Sequence, residues 1–155
     1  MTSVLFVCIA NICRSPALEA TLRHLAVEKN YADQLLVESC GVGWLHVGEH
    51  PDPRTFAAAK KRGILIDHRA QQFQNHFFDE FDYIFVVDRE IAEQIKFHAK
   101  SEEVKKKIHL ASAFSQRFKD QEIPDPYYLA GSGFDQVMEM IIDCSHGILR
   151  HIFKA

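Results

Sequence analysis

Residues 4–8 read VLFVC, an apolar run with no polar residue alternating within it. A strand with one wet face alternates polar and apolar side chains, so an unbroken run asks for cover on both faces, as in a parallel sheet between helices. Residues 3–8 are therefore read as a buried strand. Residues 35–38, 83–87 and 108–110 are further short apolar strands, and helical patterns fall between them. Pro16 with flanking Ser15 opens a helix that carries Leu18, Leu22 and Leu25 on one face. Asp52-Pro53 opens a second through Ala57 to Arg62, which Gly63 stops. Residues 89–100 form the next, and residues 134–153 close the chain with apolar positions 134, 137, 141, 144, 148 and 152 at helical spacing. Strands alternating with helices predict an α/β fold: a single domain over residues 1–155, with a four-stranded parallel sheet and helices on both faces. In such sheets ligands bind beyond the carboxyl ends of the strands, and Cys8 stands at one of those ends.

The composition removes several classes of function. Net charge is −3 with acidic and basic residues mixed, so no electrostatic footprint for nucleic acid appears. The basic cluster at 105–107 follows Glu102 and Glu103 and reads as a solvated helix end. Apolar runs such as residues 83–87 are far shorter than the roughly 20 residues of a membrane span. No membrane insertion and a cytoplasmic location are expected. Four cysteines, at 8, 13, 40 and 144, are too sparse for a secreted disulfide scaffold and read as thiols of a reducing compartment. His46 and His50 are the one near pair of histidines and lack the spacing of a zinc site, so no metal and no cofactor are expected.

Chemistry concentrates in the first turn. Five residues separate Cys8 from Arg14, and Ser15-Pro16 then begin a helix, so the loop's N–H groups can turn inward at the helix's positive end, where a phosphate dianion is stabilised. Arg14 adds a planar fork for two phosphate oxygens. The same field favours the thiolate of Cys8, so attack of sulfur on phosphorus is the natural reaction, through a covalent phosphocysteine. Such a route needs one group to protonate the departing oxygen and later to activate water. Asp125, held between two prolines in IPDPYYLAGSG, is the candidate.

With CIANICRS at Cys8 and DPYY at Asp125, the chain resembles the low-molecular-weight protein tyrosine phosphatases, and the likeness extends to ESCGVGWLHVGEHPDPR and FDYIFVVD. The resemblance implies a flavodoxin-like or Rossmann-like architecture. It implies Cys8 as nucleophile, Arg14 as phosphate ligand and Asp125 as general acid then base. The phosphate-binding loop would be Cys8, Ile9, Ala10, Asn11, Ile12, Cys13, Arg14 and Ser15, held by Asn11, Ser15, Ser39 and His68. Ile9, Trp44, Leu45, Tyr127 and Tyr128 would wall the substrate ring, with either Trp44 or Leu45 facing it. The implied substrate is a protein phosphotyrosine or a small aryl phosphate. A bacterial tyrosine kinase is one family-level partner, and a monomer is expected. Three features depart from the family's pattern. Ala10 stands where glycine is usual, at a cost of about 1 kcal/mol if that site needs positive φ. Leu45 precedes His46 where many bacterial relatives carry tryptophan, and Trp44 comes one place earlier. Asp88 matches the family's aspartate, but Ile91, three places on, stands where a polar residue is usual. Two alternatives compete. An arsenate reductase of the same fold would need further cysteines, and residues 88–107 contain none. A non-catalytic phosphate-binding regulatory module would need a missing nucleophile or acid. Ser15 also reads as a helix N-cap.

Overall fold

In the computed structural model, strand β1 (Thr2–Cys8) lies between β2 (Leu35–Gly41) and β3 (Tyr83–Val86), with β4 (Ile108–Leu110) beyond β3. The sheet order is β2-β1-β3-β4 and every pairing is parallel. Residues 1–129 and 132–154 are described. Val4, Leu5, Phe6 and Val7 are wholly buried, which is why the run that opens the chain carries no polar residue. The register sets Cys8 opposite Gly41 on one side and Val7 opposite Val86 on the other. The chain leaves β1 in one direction and returns through β3 in the other, so a crevice opens at the carboxyl ends of β1 and β3.

Among the described residues six α-helices connect and cover the strands: α1 (Arg14–Glu28), α2 (Pro53–Lys60), α3 (Phe77–Glu80), α4 (Arg89–His98), α5 (Glu102–Lys105) and α6 (Gly133–Phe153). Right-handed crossovers that run outward from the centre in opposite directions place α1 and α4 on opposite faces. Helix α6 packs against α1 and α2, and α4 against β3 and β4. Arg62, just past α2, reaches Asp135 and Glu139 of α6 at 3.0 and 2.9 Å. Asp52 caps α2 by accepting from the Arg54 N–H at 2.8 Å, and Asp88 caps α4 by accepting from the Ile91 N–H at 2.9 Å. Gly63, at φ 75°, turns the chain out of α2 in a conformation that costs glycine little.

Several boundaries differ from the pattern-based reading. Helix α1 starts at Arg14, so Pro16 sits in the first turn, where its missing N–H has no intrahelical acceptor to lose. Cys13 takes the cap position with no side-chain cap, and Ser15 is freed from the capping role. Strand β2 runs on to Gly41 through the wholly buried Ser39 and Cys40. Segment 71–82, which carries no helical or strand pattern in the sequence, contains α3, and segment 115–133 contains a 3₁₀ turn (Pro126–Tyr128). Positions 130 and 131 of the latter segment lie outside the described residues. Four-residue helices such as α3 and α5 are too short to display a period, so pattern could not find them. Among the described residues no helix is long and apolar enough to cross a membrane.

Candidate active site

The turn between β1 and α1 is built by contacts on every side. Gly41 faces it so closely that a Cβ there would stand 2.5 Å from the Ile9 carbonyl oxygen. The next residues of the chain tie down the turn's start, with Val42 N–H donating to Cys8 O at 3.0 Å and Gly43 N–H to Ile9 O at 2.9 Å. Asp52 N–H donates to Ile12 O at 2.8 Å from the far side. At the centre Asn11 takes the left-handed conformation, φ 59°, and its N–H points to Cys8 Sγ at 3.3 Å. Ala10 is absent from the positive-φ residues, so the expected strain at the position usually held by glycine does not arise.

A relay of hydrogen bonds leads from the sulfur into the core. Ser15 Oγ lies 2.9 Å from Cys8 Sγ and accepts from Asn11 Nδ2 at 2.7 Å, which directs its own proton toward the sulfur and toward the Cys40 carbonyl at 3.3 Å. Asn11 Nδ2 also donates to Ser39 Oγ at 3.0 Å, and Ser39 Oγ donates to Glu19 Oε1 at 2.7 Å. Arg23 pairs with the other Glu19 oxygen. His68 closes the relay, with Nε2 2.6 Å from Asn11 Oδ1 and Nδ1 3.3 Å from Glu19 Oε1. Burial pulls His68 from its ordinary 6.5 down to about 4, and burial pushes the Glu19 carboxyl up. The hydrogen-bond pattern opposes both. Asn11 Oδ1 already accepts from Gln71 N–H, and Glu19 already accepts from Ser39 and Arg23, so both ring nitrogens of His68 face acceptors. We therefore assign the doubly protonated imidazolium beside an ionised Glu19.

Arg14 is buried. Its Nη1 donates to Asp88 Oδ2 at 3.2 Å and to the Ile123 carbonyl at 2.9 Å, and its Nη2 stands 3.8 Å from Asp125 Oδ2. Asp125 accepts from Tyr127 N–H at 3.0 Å, which folds the arm into its 3₁₀ turn. Cys8, Arg14 and Asp125 line one cleft of about 410 Å³ together with Ile9, Leu45, Tyr127 and Tyr128. Of the two candidates at that position Leu45 is among its lining residues and Trp44 is not. Ser39 and His68 stand behind the turn within the relay.

The sequence model described as "Low molecular weight phosphotyrosine protein phosphatase" matches residues 3–155. A protein of that name from Schizosaccharomyces pombe is 37% identical over 151 residues, covering 96% of each chain. The one from Sus scrofa is 35% identical over 153 residues, 97% of this chain and 95% of the other. This chain belongs to the low molecular weight phosphotyrosine protein phosphatase family. Among solved structures, a protein tyrosine phosphatase from Entamoeba histolytica with Hepes in its active site matches with a TM-score of 0.94 at 30% identity, covering 99% and 98% of the chains. A Drosophila arginine phosphatase matches with a TM-score of 0.89 at 33% identity, covering 99% and 98%.

Within this member of the phosphatase family, five side chains at or behind the cleft were not identified from sequence. Glu19 anchors the relay, Asp88 holds Arg14, and Asp52 with Arg54 brackets the Asp125 arm. The resemblance matches Asp88 to the family's pattern without giving it a role. His46, read as an ordinary histidine, lines the cleft and pairs with Glu49 at 3.0 Å. Burial pushes the Cys13 thiol up to about 12, so it stays protonated near neutral pH. Among the described residues no group of three or more His, Cys, Asp or Glu could hold a metal ion.

Proposed function

We propose that this chain hydrolyses protein phosphotyrosine, and small aryl phosphates, through a phosphocysteine on Cys8. The carrying observation is that Cys8, Arg14 and Asp125 line one cleft while Ser15 Oγ lies 2.9 Å from the sulfur. In the first step Cys8 Sγ attacks phosphorus and the bond to the leaving oxygen breaks. The Asp125 carboxyl gives that oxygen its proton. In the second step the Asp125 carboxylate takes a proton from water, the hydroxyl adds to phosphorus, and the S–P bond breaks to release inorganic phosphate. Arg14 and the amides at the start of α1 balance charge on the equatorial oxygens, so the chain's own groups suffice for stabilisation. Asp88 and the Ile123 carbonyl fix the guanidinium in advance, which removes a cost of ordering during the reaction.

Ile9, Leu45, Tyr127 and Tyr128 offer apolar and aromatic surface to the ester group, which favours an aryl ring. A cytoplasmic location and a monomer are part of this reading, and the four free, buried cysteines support a reducing compartment. A bacterial tyrosine kinase is one substrate protein that fits. The test is turnover of p-nitrophenyl phosphate and of peptides bearing phosphotyrosine or phosphoarginine. Cys8→Ser is expected to be inactive yet to retain phosphate binding. Asp125→Ala is expected to lose about 10²–10⁴-fold with leaving groups that need a proton. Full activity in Cys8→Ser would overturn the mechanism, and preference for phosphoarginine would overturn the substrate class.

A further inference from the structure

Arg54, in the first turn of α2, is shared by three elements. Its Nε and Nη2 donate to the two carboxylate oxygens of Asp52 at 3.1 and 2.9 Å. Its guanidinium carbon lies 5.2 Å from the ring centre of Tyr127 and 4.6 Å from that of Phe134. Each contact leads to a part of the cleft. Asp52 is bonded through its backbone to Ile12 of the nucleophile's turn. Tyr127 donates its N–H to the carboxylate of Asp125, and Phe134 opens α6. The arm is joined to the phosphate-binding turn at a second point, where Arg14 holds the Ile123 carbonyl. Two attachments on either side of Asp125 define its distance from the turn, while buried Pro126 packs the 3₁₀ turn on α6.

We infer that Arg54 is a positioning residue that clasps the acid arm to the phosphate-binding turn, fixing Asp125 at proton-transfer range of the leaving oxygen. The guanidinium serves as a flat spacer against two rings, held level by a bidentate carboxylate, a geometry that lysine cannot reproduce. Removing it leaves the amides, Arg14 and Cys8 in place and misplaces only the acid. The inference rests on the assignment of Asp125 as general acid, and the experiment separates the two.

The measurement is kcat/KM for phenyl phosphate, whose leaving group needs a proton, and for 2,4-dinitrophenyl phosphate, whose leaving group departs as an anion. Wild type, Arg54→Ala, Arg54→Lys, Asp125→Asn and the double variants with Asp125→Asn are compared, with inhibition by inorganic phosphate reporting the turn's integrity. Arg54→Ala and Arg54→Lys are expected to lose about 10–100-fold on phenyl phosphate. The dinitrophenyl ester and phosphate inhibition should be little changed, and neither variant should cause further loss once Asp125 is Asn. Equal loss on both esters, or a loss that multiplies with that of Asp125→Asn, overturns the clasp while leaving the acid assignment intact. An Asp125→Asn variant that shows no dependence on the leaving group overturns the acid assignment, and the clasp with it. Arg54→Lys keeps the charge at α2, so it supplies the reading if Arg54→Ala does not fold.

Discussion

His68 sits where two physical effects contend. Burial favours the neutral ring, while the Asn11 oxygen and the Glu19 carboxylate favour the imidazolium. If the hydrogen bonds dominate, nitrogen-detected NMR will find both ring nitrogens protonated at neutral pH, with the proton lost above the group's ordinary value. Glu19→Gln removes the opposing charge, and the ring should then titrate below that value as burial prevails. A neutral ring at neutral pH in the unaltered protein would reverse the assignment. The roles of Cys8, Arg14 and Asp125 could be proposed from sequence because their chemistry is carried by contiguous motifs, a thiol and a guanidinium bracketing a helix start. Glu19 could not, because Ser39 and His68, which give it meaning, lie far along the chain and join it only when β2 pairs with β1. The Ser15 hydroxyl is a different case. Loop support and helix cap were both open to it from sequence, and the start of α1 at Arg14 removes only the cap.

At the scale of elements, β2 props the nucleophile's turn by direct contact, and that contact needs the absence of a side chain. Gly41→Ala would set a methyl 2.5 Å from the Ile9 carbonyl oxygen and 3.0 Å from Asn11 N, both backbone atoms with little room to yield. The turn must shift by a fraction of an ångström. We expect kcat/KM to fall by about 10²-fold, since displacements of about 1 Å cost that much, with weaker inhibition by phosphate and with the fold retained. Unchanged phosphate inhibition in Gly41→Ala would show that the turn absorbs the methyl. The strands were readable because each is an unbroken apolar run, and the long helices because they hold a period. The extension of β2 through Ser39 was not, since a buried serine is tolerated there only because Asn11 and Glu19 satisfy it.

For the whole molecule, acid sensitivity should come partly from the contact between α6 and the segment that follows β4. Desolvation acts to raise Asp143, but donors from Ser115 Oγ and the backbone N–H groups of Arg117 and Gln116 outweigh it and hold the carboxyl below its ordinary 3.8. A depressed folded-state value means that the contribution is complete above the unfolded value and vanishes as pH falls through the folded one. Asp143→Ala should therefore lower the melting temperature near neutrality, and the gap to the unaltered protein should close in strong acid. A gap that persists there would assign the loss to packing instead. Helix α6, which carries Asp143, packs on α1, which begins at the nucleophile's turn. The turn that carries Cys8 is thus braced through α1 by a helix that lines none of the cleft, so loosening α6 would reach the site from outside it.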